Sequence, residues 1–362
     1  MNRICVYAIA KNEEKNVDAW AENVKEADAV VVLDTGSTDR TVEKLLDHGI
    51  YVEQKHYDSF RFDVARNDSL KLIPFDCNIC VTTDLDERFN PGWSDILRSE
   101  WKEGVHQRAS YSYRTRDEDF EQTLNWIHAP GWSWKYPCHE AMVRDATGEI
   151  WYYPDETLNL QGKLILRHWQ DLGKSRGSYL GLLRIRRAEN PDDAFSYLYL
   201  LRELSYKQMW DEIVGEAGRI HDAIRNYNGK DANAALAYLG DAYAGKGDIA
   251  KAMAAYYEAI QRSPCSRYPY EQMARYLIED KKPELARRIL LQCLEKSSHD
   301  PSWEWLDGEA LWTWKIYDWL CVAAYWSDDF EEAVRWANLA LEKDPSNVHV
   351  MKNLEVSKQR LS

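Results

Sequence analysis

The sequence predicts an α/β domain with a mostly parallel sheet, followed by an all-α domain made of a helical repeat. Two observations lead there. Up to about residue 90, short apolar runs of β type alternate with helix-like stretches, the grammar of βαβ units. From about residue 176 the pattern is helical throughout and recurs at a fixed interval. The chain has 362 residues, which suits two domains, and the change of grammar places them at 1–175 and 176–362.

Taken in order, the first domain opens on the strand "ICVYAIA", residues 4–10, followed by the helix-like "NVDAWAENVKEA". "AVVVLDT" is the next strand, "TDRTVEKLLDHG" a helix, and "YVEQKHY" and "NICVTTD" are further strands. In such sheets ligands sit beyond the carboxyl ends of the strands, where Asp34 and Asp84 stand. Between about 90 and 170 the pattern loosens into Trp-rich segments punctuated by Gly and Pro. The strand candidates there are "RASYSYRT", "HEAMVRD" and "KLILRHW", which imply a mixed sheet with substrate-contacting loops.

In the second domain a 34-residue window from residue 233 carries Leu236, Leu239, Gly240, Tyr243, Ala252, Tyr256 and Ala259, and Pro264 closes it. The window from 267 gives Tyr270, Met273, Ala274, Leu277, Ala286, Leu290 and Cys293 at the same positions. A third, from 314, gives Tyr317, Leu320, Cys321, Ala324, Ala333, Ala337 and Ala340. Large-large-small-large, then small-large-small, is the tetratricopeptide pattern. Small residues let paired helices approach and large ones fill the seam with the next pair. Residues 194–226 read as a degenerate first repeat, and "DPSWEWLDGEALWT" as a Trp-rich insert.

Composition narrows the function. A net charge of −14 argues against non-specific polyanion binding, and 45% hydrophobic residues allow a substantial core. Seven Cys without framework spacing point to reduced thiols in a cytoplasm. Cys77 and Cys80 form a C-x-x-C inside an apolar run, which reads as a buried strand rather than a zinc or redox site. No apolar run of eighteen residues is present, so no membrane span is expected.

The chemistry lies at "VTTDLDE", residues 81–87. Alternation along a strand sends the carboxylates of Asp84 and Asp86 to the same side. Two carboxylates that close repel, and an oxygen-preferring divalent cation, Mg²⁺ or Mn²⁺, is the natural guest. Such a metal commonly bridges carboxylates to a diphosphate.

"AIAKNEEKNV", "VVLDTGSTDRT", "FDVARNDSL" and "TTDLDE", in that order and spacing, resemble the family 2 glycosyltransferases, which have the glycosyltransferase A-type, Rossmann-like fold. The later "YPCHEAMV" and "ILRHW" resemble the subgroup with a C-terminal tetratricopeptide domain, which includes bacterial peptide glycosyltransferases. The resemblance implies sugar transfer from a nucleotide donor, often a UDP-sugar, with inversion. It assigns Asn12, Glu13 and Asp34 to the uridine pocket and Arg66 to the diphosphate or to bracing the aspartates. It makes Asp86 a metal ligand, Asp84 a ligand of ribose and metal, and His168 a third ligand. Inversion needs a general base; Glu140 is the nominee, with His139 beside it and Glu87 as a second candidate. Trp132 and Trp134, with Trp126, in the aromatic strip "NWIHAPGWSWKYP", are expected on the acceptor side, stacking on a sugar or base, or else as packing under a loop. Ser37 and Thr38 are expected to cap the helix after Asp34, and Asp39 to favour its positive end, ahead of any substrate contact.

The expectation is therefore a cytoplasmic, metal-dependent, inverting nucleotide-sugar transferase. Repeat arrays present a surface to a protein or peptide, so the first acceptor considered is a polypeptide. A glycan, a lipid-linked precursor or a modified nucleic-acid base stays open, as does a homodimer. From other classes, a non-catalytic scaffold and a nucleotidyltransferase compete. The basic strip "GKSRGSYLGLLRIRR", residues 173–187, reads as the solvated face of the first C-terminal helix, with phosphate binding as the rival.

Overall fold

A computed structural model describes residues 2–115, 121–148, 154–169, 179–225, 230–298 and 306–361. The chain divides into two compact units, Met1–Leu182 and Leu183–Ser362. The boundary expected at 175/176 lies outside the described residues.

The first unit alternates as its sequence does: β1 (Ile4–Ala10), α1 (Val17–Val24), β2 (Ala29–Asp34), α2 (Thr41–Asp47), β3 (Tyr51–Gln54), α3 (Phe62–Leu70) and β4 (Ile79–Thr82). It continues with β5 (Glu87–Phe89), α4 (Trp93–Glu100), β6 (Arg108–Thr115), β7 (Glu121–His128), β8 (Trp132–Lys135), β9 (Ala141–Arg144), β10 (Thr157–Asn159) and β11 (Ile165–His168). The main sheet runs β3-β2-β1-β4-β7-β6-β11-β5, with β10 also on β6, while β8 and β9 form a separate antiparallel pair. The four strands from β3 to β4 are parallel; beyond β4 the pairing is mixed. Chain order puts β2 on one side of β1 and β4 on the other, so the crevice between β1 and β4 is the switch point of the topology.

Alternation along β1 divides the core. Ile4, Val6, Ala8 and Ala10 pack with Val17 and Trp20 of α1 and with Trp93 and Leu97 of α4. Cys5 and Tyr7 face the other side, with Cys77, Cys80, Trp132 and Trp134. The C-x-x-C is thus part of a core, its thiols free and buried.

The second unit is helical: α5 (Leu180–Glu189, which begins in the first unit), α6 (Ala194–Tyr206), α7 (Trp210–Gly215), α8 (Ala217–Ile224), α9 (Lys230–Gly245), α10 (Ile249–Arg262), α11 (Tyr268–Glu279) and α12 (Pro283–Lys296). After the insert come α13 (Glu309–Trp312), α14 (Lys315–Trp326), α15 (Phe330–Lys343) and α16 (Val348–Leu361). The pairs α9–α10, α11–α12 and α14–α15 fall in the three sequence windows, and most of their repeat positions, from Ala252 to Ala340, are buried in one core. At Gly240 an added Cβ would stand 2.5 Å from the Tyr256 ring, so only hydrogen fits there. Each turn from the first helix of a pair to the second holds one residue with positive φ: Gln208 (53°), Gly247 (80°), Lys281 (58°) and Asp328 (57°). Only one of the four is glycine, so the turn geometry recurs without its usual residue.

Candidate functional site

The first wall of the site is the turn after β2. Asp34 is wholly buried. Its Oδ1 accepts from the N–H of Gly36 at 3.1 Å and of Ser37 at 3.0 Å, closing an Asx turn. Gly36 takes φ 108°, as a tight turn demands. The loop after β1 docks on this turn: Asn12 N–H donates to Ser37 Oγ at 2.8 Å, and Asn12 Oδ1 accepts from Thr38 N–H at 2.7 Å. Asp34 and Asn12, expected at a uridine pocket, each accept backbone N–H groups of this turn. Ser37 and Thr38 do not cap α2. Asp39 Oδ1 accepts from Thr41 N–H at 3.0 Å in their place.

The second wall is the Asp-x-Asp loop, whose two carboxylates find different partners. Asp84 accepts from Arg66 Nη2 at 3.0 Å, and Asp86 Oδ2 lies 3.0 Å from His168 Nε2. His168 reaches that position because β11 pairs antiparallel with β5, setting it opposite Glu87. Glu87 is buried and gives Oε2 to the N–H of Asp84 at 2.9 Å, so this second candidate base holds the loop from beneath. Burial, reinforced by Asp84, pushes its carboxyl well above the usual carboxylate range.

Arg66, on α3, joins the walls to the proposed base. It is 5% exposed, and its Nε donates to Glu140 Oε1 at 3.0 Å. Its guanidinium also lies over the Trp134 ring at 5.1 Å. Burial works against its charge, but the carboxylates of Asp84 and Glu140 outweigh it and raise its pKa. Arg66 thus bridges Asp84 and Glu140. Glu140 does not pair with Arg144, which binds Glu156 at 3.1 Å. The loop before Glu140 is strained: Tyr136 and His139 take φ 82° and 49°. The Phe62 N–H holds it through the Pro137 carbonyl at 3.0 Å. His139 is exposed at the edge of the Tyr179 ring, centroids 6.2 Å apart.

Trp132 and Trp134 do not face an acceptor. They belong to β8 and are 4% and 3% exposed, because strand alternation turns both into the core against Tyr7 and Arg108. The aromatic groups at the site are Phe60 and Phe62, which the sequence reading passed over. They line a cleft of about 360 Å³ together with Ile9, Lys11, Glu13, Thr35, Arg66 and Asp84–Asp86. The cleft lies at the carboxyl ends of β1 and β4. The signal that could have found the pair is the Phe-Arg-Phe run just ahead of "DVARND".

For a divalent cation the donors are of the right kind. Asp84 and Asp86 supply hard oxygens, and Asp86 Oδ1 has no partner among the described residues. His168 turns Nε2 to the Asp86 carboxylate, the place of a residue that orients a ligand rather than of a third ligand. Among the described residues no group of three or more His, Cys, Asp or Glu could hold a metal ion.

Within the basic strip the described Arg184, Arg186 and Arg187 all have side-chain partners, with Arg184 at the surface. Arg184 grips Glu212 at 2.8 and 2.6 Å, Arg186 is 3% exposed and donates to Ser196 Oγ at 3.1 Å, and Arg187 pairs with Glu216. Helix pairing brings these acids to the strip; residues 173–178 of it lie outside the described residues.

No family model matches the sequence, and no curated protein matches it. Among solved structures, the chain is similar to the first tetratricopeptide domain of human RPAP3, at 19% identity, covering 36% of this chain and 91% of that one, with a TM-score of 0.30. YrrB, described as a tetratricopeptide protein with an unusual peptide-binding site, is 16% identical over 49% of this chain and 82% of its own, TM-score 0.38. TTC0263 of Thermus thermophilus is 17% identical over 50% and 89%, TM-score 0.36. The repeat reading rests on the helix pairs and buried repeat positions above: the chain is a mixed α/β unit with a cleft at its strand ends, followed by a tetratricopeptide-like helical unit. No described helix is long and apolar enough to cross a membrane.

Proposed function

We propose that the α/β unit is an inverting, metal-dependent glycosyltransferase that takes its sugar from a nucleotide donor, a UDP-sugar first. One observation carries the reading. The cleft at the switch point between β1 and β4 is lined by Glu13, Arg66, Asp84 and Asp86, where parallel sheets hold phosphorylated ligands.

In this reading Asp86, oriented by His168, and Asp84 hold Mn²⁺ or Mg²⁺, which when bound offsets the charge of the departing diphosphate. Glu140 takes the proton of the acceptor hydroxyl or amide as that atom attacks the anomeric carbon. The bond from that carbon to the phosphate oxygen breaks on the opposite face, and the nucleoside diphosphate leaves with the electron pair. Arg66 holds Glu140 and Asp84 in place through its paired contacts. Phe60 and Phe62 offer flat apolar surface to a ring. A peptide is the first acceptor, offered by the helical unit, whose successive pairs expose a repeating row of side chains.

The test is release of UDP from UDP-sugars in the presence of Mn²⁺, with candidate acceptors followed by mass spectrometry. Metal-dependent release that is lost in Asp86→Ala, with a hexose-sized increment on the acceptor, supports the reading. Absence of any nucleotide binding by calorimetry sinks it in favour of a scaffold, and release of pyrophosphate favours a nucleotidyltransferase.

A further inference from the structure

We propose that Arg88 is a positioning residue that sets the width of the cleft, strapping the loop after β1 to the aspartate loop after β4. Its Nη1 donates to the carbonyls of Leu85 at 2.7 Å and Glu87 at 2.8 Å, and its Nη2 donates to the carbonyl of Asn16 at 2.9 Å. Leu85 and Glu87 flank Asp86. Asn16 ends the turn that Glu13 begins, its N–H donating to the Glu13 carbonyl at 2.8 Å. One guanidinium therefore holds main chain on both sides of the cleft.

The base of this side chain is anchored independently of the strap. Arg88 pairs with Arg167 across β5 and β11. The next residue, Phe89, exchanges two hydrogen bonds of 2.9 Å with the Asn23 side-chain amide. The aspartate loop is held on its other side by Trp169 N–H, which donates to the Asp86 carbonyl at 2.7 Å. Arg88 is the link that joins this frame to the first loop. A planar fork with donors at fixed angles reaches carbonyls on two loops at once, whereas an ammonium acts from a single point. The sequence reading gave Arg88 no role, since its partners are backbone atoms and no spacing rule points to them.

The strap deepens the nucleotide reading of the cleft and rests on it for its purpose, but its two consequences separate. Arg88→Lys and Arg88→Met keep the aliphatic stem and remove the fork. By hydrogen exchange, the amides of Asn16, Glu87 and Trp169 should exchange about tenfold faster in both variants, one hydrogen bond's worth, with β1 amides unchanged. By calorimetry with UDP and Mn²⁺, affinity should fall about tenfold in both variants, while melting temperature in Arg88→Lys stays near that of the wild type. Unchanged loop exchange overturns the strap, as does a uniform rise through the sheet, which would mark Arg88 as merely structural. Faster loops with unaltered UDP affinity overturn its positioning role. If the wild type binds no UDP while the loops still loosen in the variants, the nucleotide reading fails and the strap stands.

Discussion

In the α/β unit Asp84, Asp86 and Glu140 meet Arg66 and His168 at one end of one sheet, whereas in the helical unit the acids recur one to a repeat. Asp241 of α9 accepts from Tyr268 of α11 at 3.0 Å. Glu271 of α11 takes Lys315 and Trp319 of α14 at 2.7 and 3.1 Å, and Asp318 of α14 takes Asn353 of α16 at 2.8 Å. A parallel sheet has one end at which all its loops emerge, so charge collects there and is shared. A repeat array has only nearest neighbours, so each of these acids finds its partners in its own pair or in the next one, and no cluster of acids forms among the described residues. The collected set is suited to chemistry and the distributed one to building a surface.

The comparison is broken most strongly at Arg66. Arg66→Ala leaves the largely buried Glu140 without its partner, while Asp84 can turn to water, and should cost the α/β unit about 3 kcal/mol, the low end of the range for removing one partner of a buried pair. Denaturant unfolding followed with probes in each unit should show the loss in the first unit and not in the second; an equal loss in both would show that the site is not self-contained.

Acid titration sharpens the contrast next. His128 is buried, donates from Nδ1 to the Ala129 carbonyl at 2.7 Å and lies 2.9 Å from the Tyr7 hydroxyl; burial lowers its pKa to about 4. The unfolded chain binds a proton near pH 6.5 that the folded one refuses, so stability present at pH 7 is lost as pH falls from about 6.5 to 4. Relative to His128→Asn, the wild-type α/β unit should lose about 3 kcal/mol over that window.

Gly240→Ala comes third. The added methyl meets the Tyr256 ring, which the 2.6 Å bond from its hydroxyl to Asp241 keeps from withdrawing. Thermal unfolding should show the helical unit weakened by about 2 kcal/mol, and Gly247→Ala, with open space around it, should cost less despite its φ of 80°.

The smallest effect is at Asp241, and its sign is opposite to that at His128. Burial pushes its carboxyl up to about 6, so the folded helical unit binds a proton that the unfolded chain, near 3.8, binds less well. The stability this adds is present below about pH 3.8 and is lost as pH rises through about 6. Half-buried as Asp241 is, the change against Asp241→Asn should be about 1–2 kcal/mol. A pH-independent difference between the two proteins would show that the carboxyl is solvated.

Much of this was legible beforehand. "ICVYAIA" was read as a strand over 4–10 and is β1, an apolar run, and "RASYSYRT" is β6, where Ala109, Tyr111 and Tyr113 alternate with polar residues. Positions such as Leu239, Ala274 and Leu290 were named from the repeat period and are buried. The aromatic strip was left between stacking on an acceptor and packing: β8 uses Trp132 and Trp134 as core, and a tryptophan reads the same in sequence whether it floors a site or faces one. The Arg66–Glu140 pair spans 74 residues, and no local pattern encodes such a partner.

Periodicity by itself determined the two grammars, the strand ends that bear Asp34, Asp84 and Asp86, and the helix pairs, since these follow from which residues must leave water every second or every third to fourth position. Only the tertiary structure decided that Asp34 turns inward, that Arg66 divides itself between Asp84 and Glu140, and that Arg88 grips two loops. Those choices depend on which donors and acceptors the fold brings within about 3 Å, a matter of distance in space that spacing along the chain does not carry.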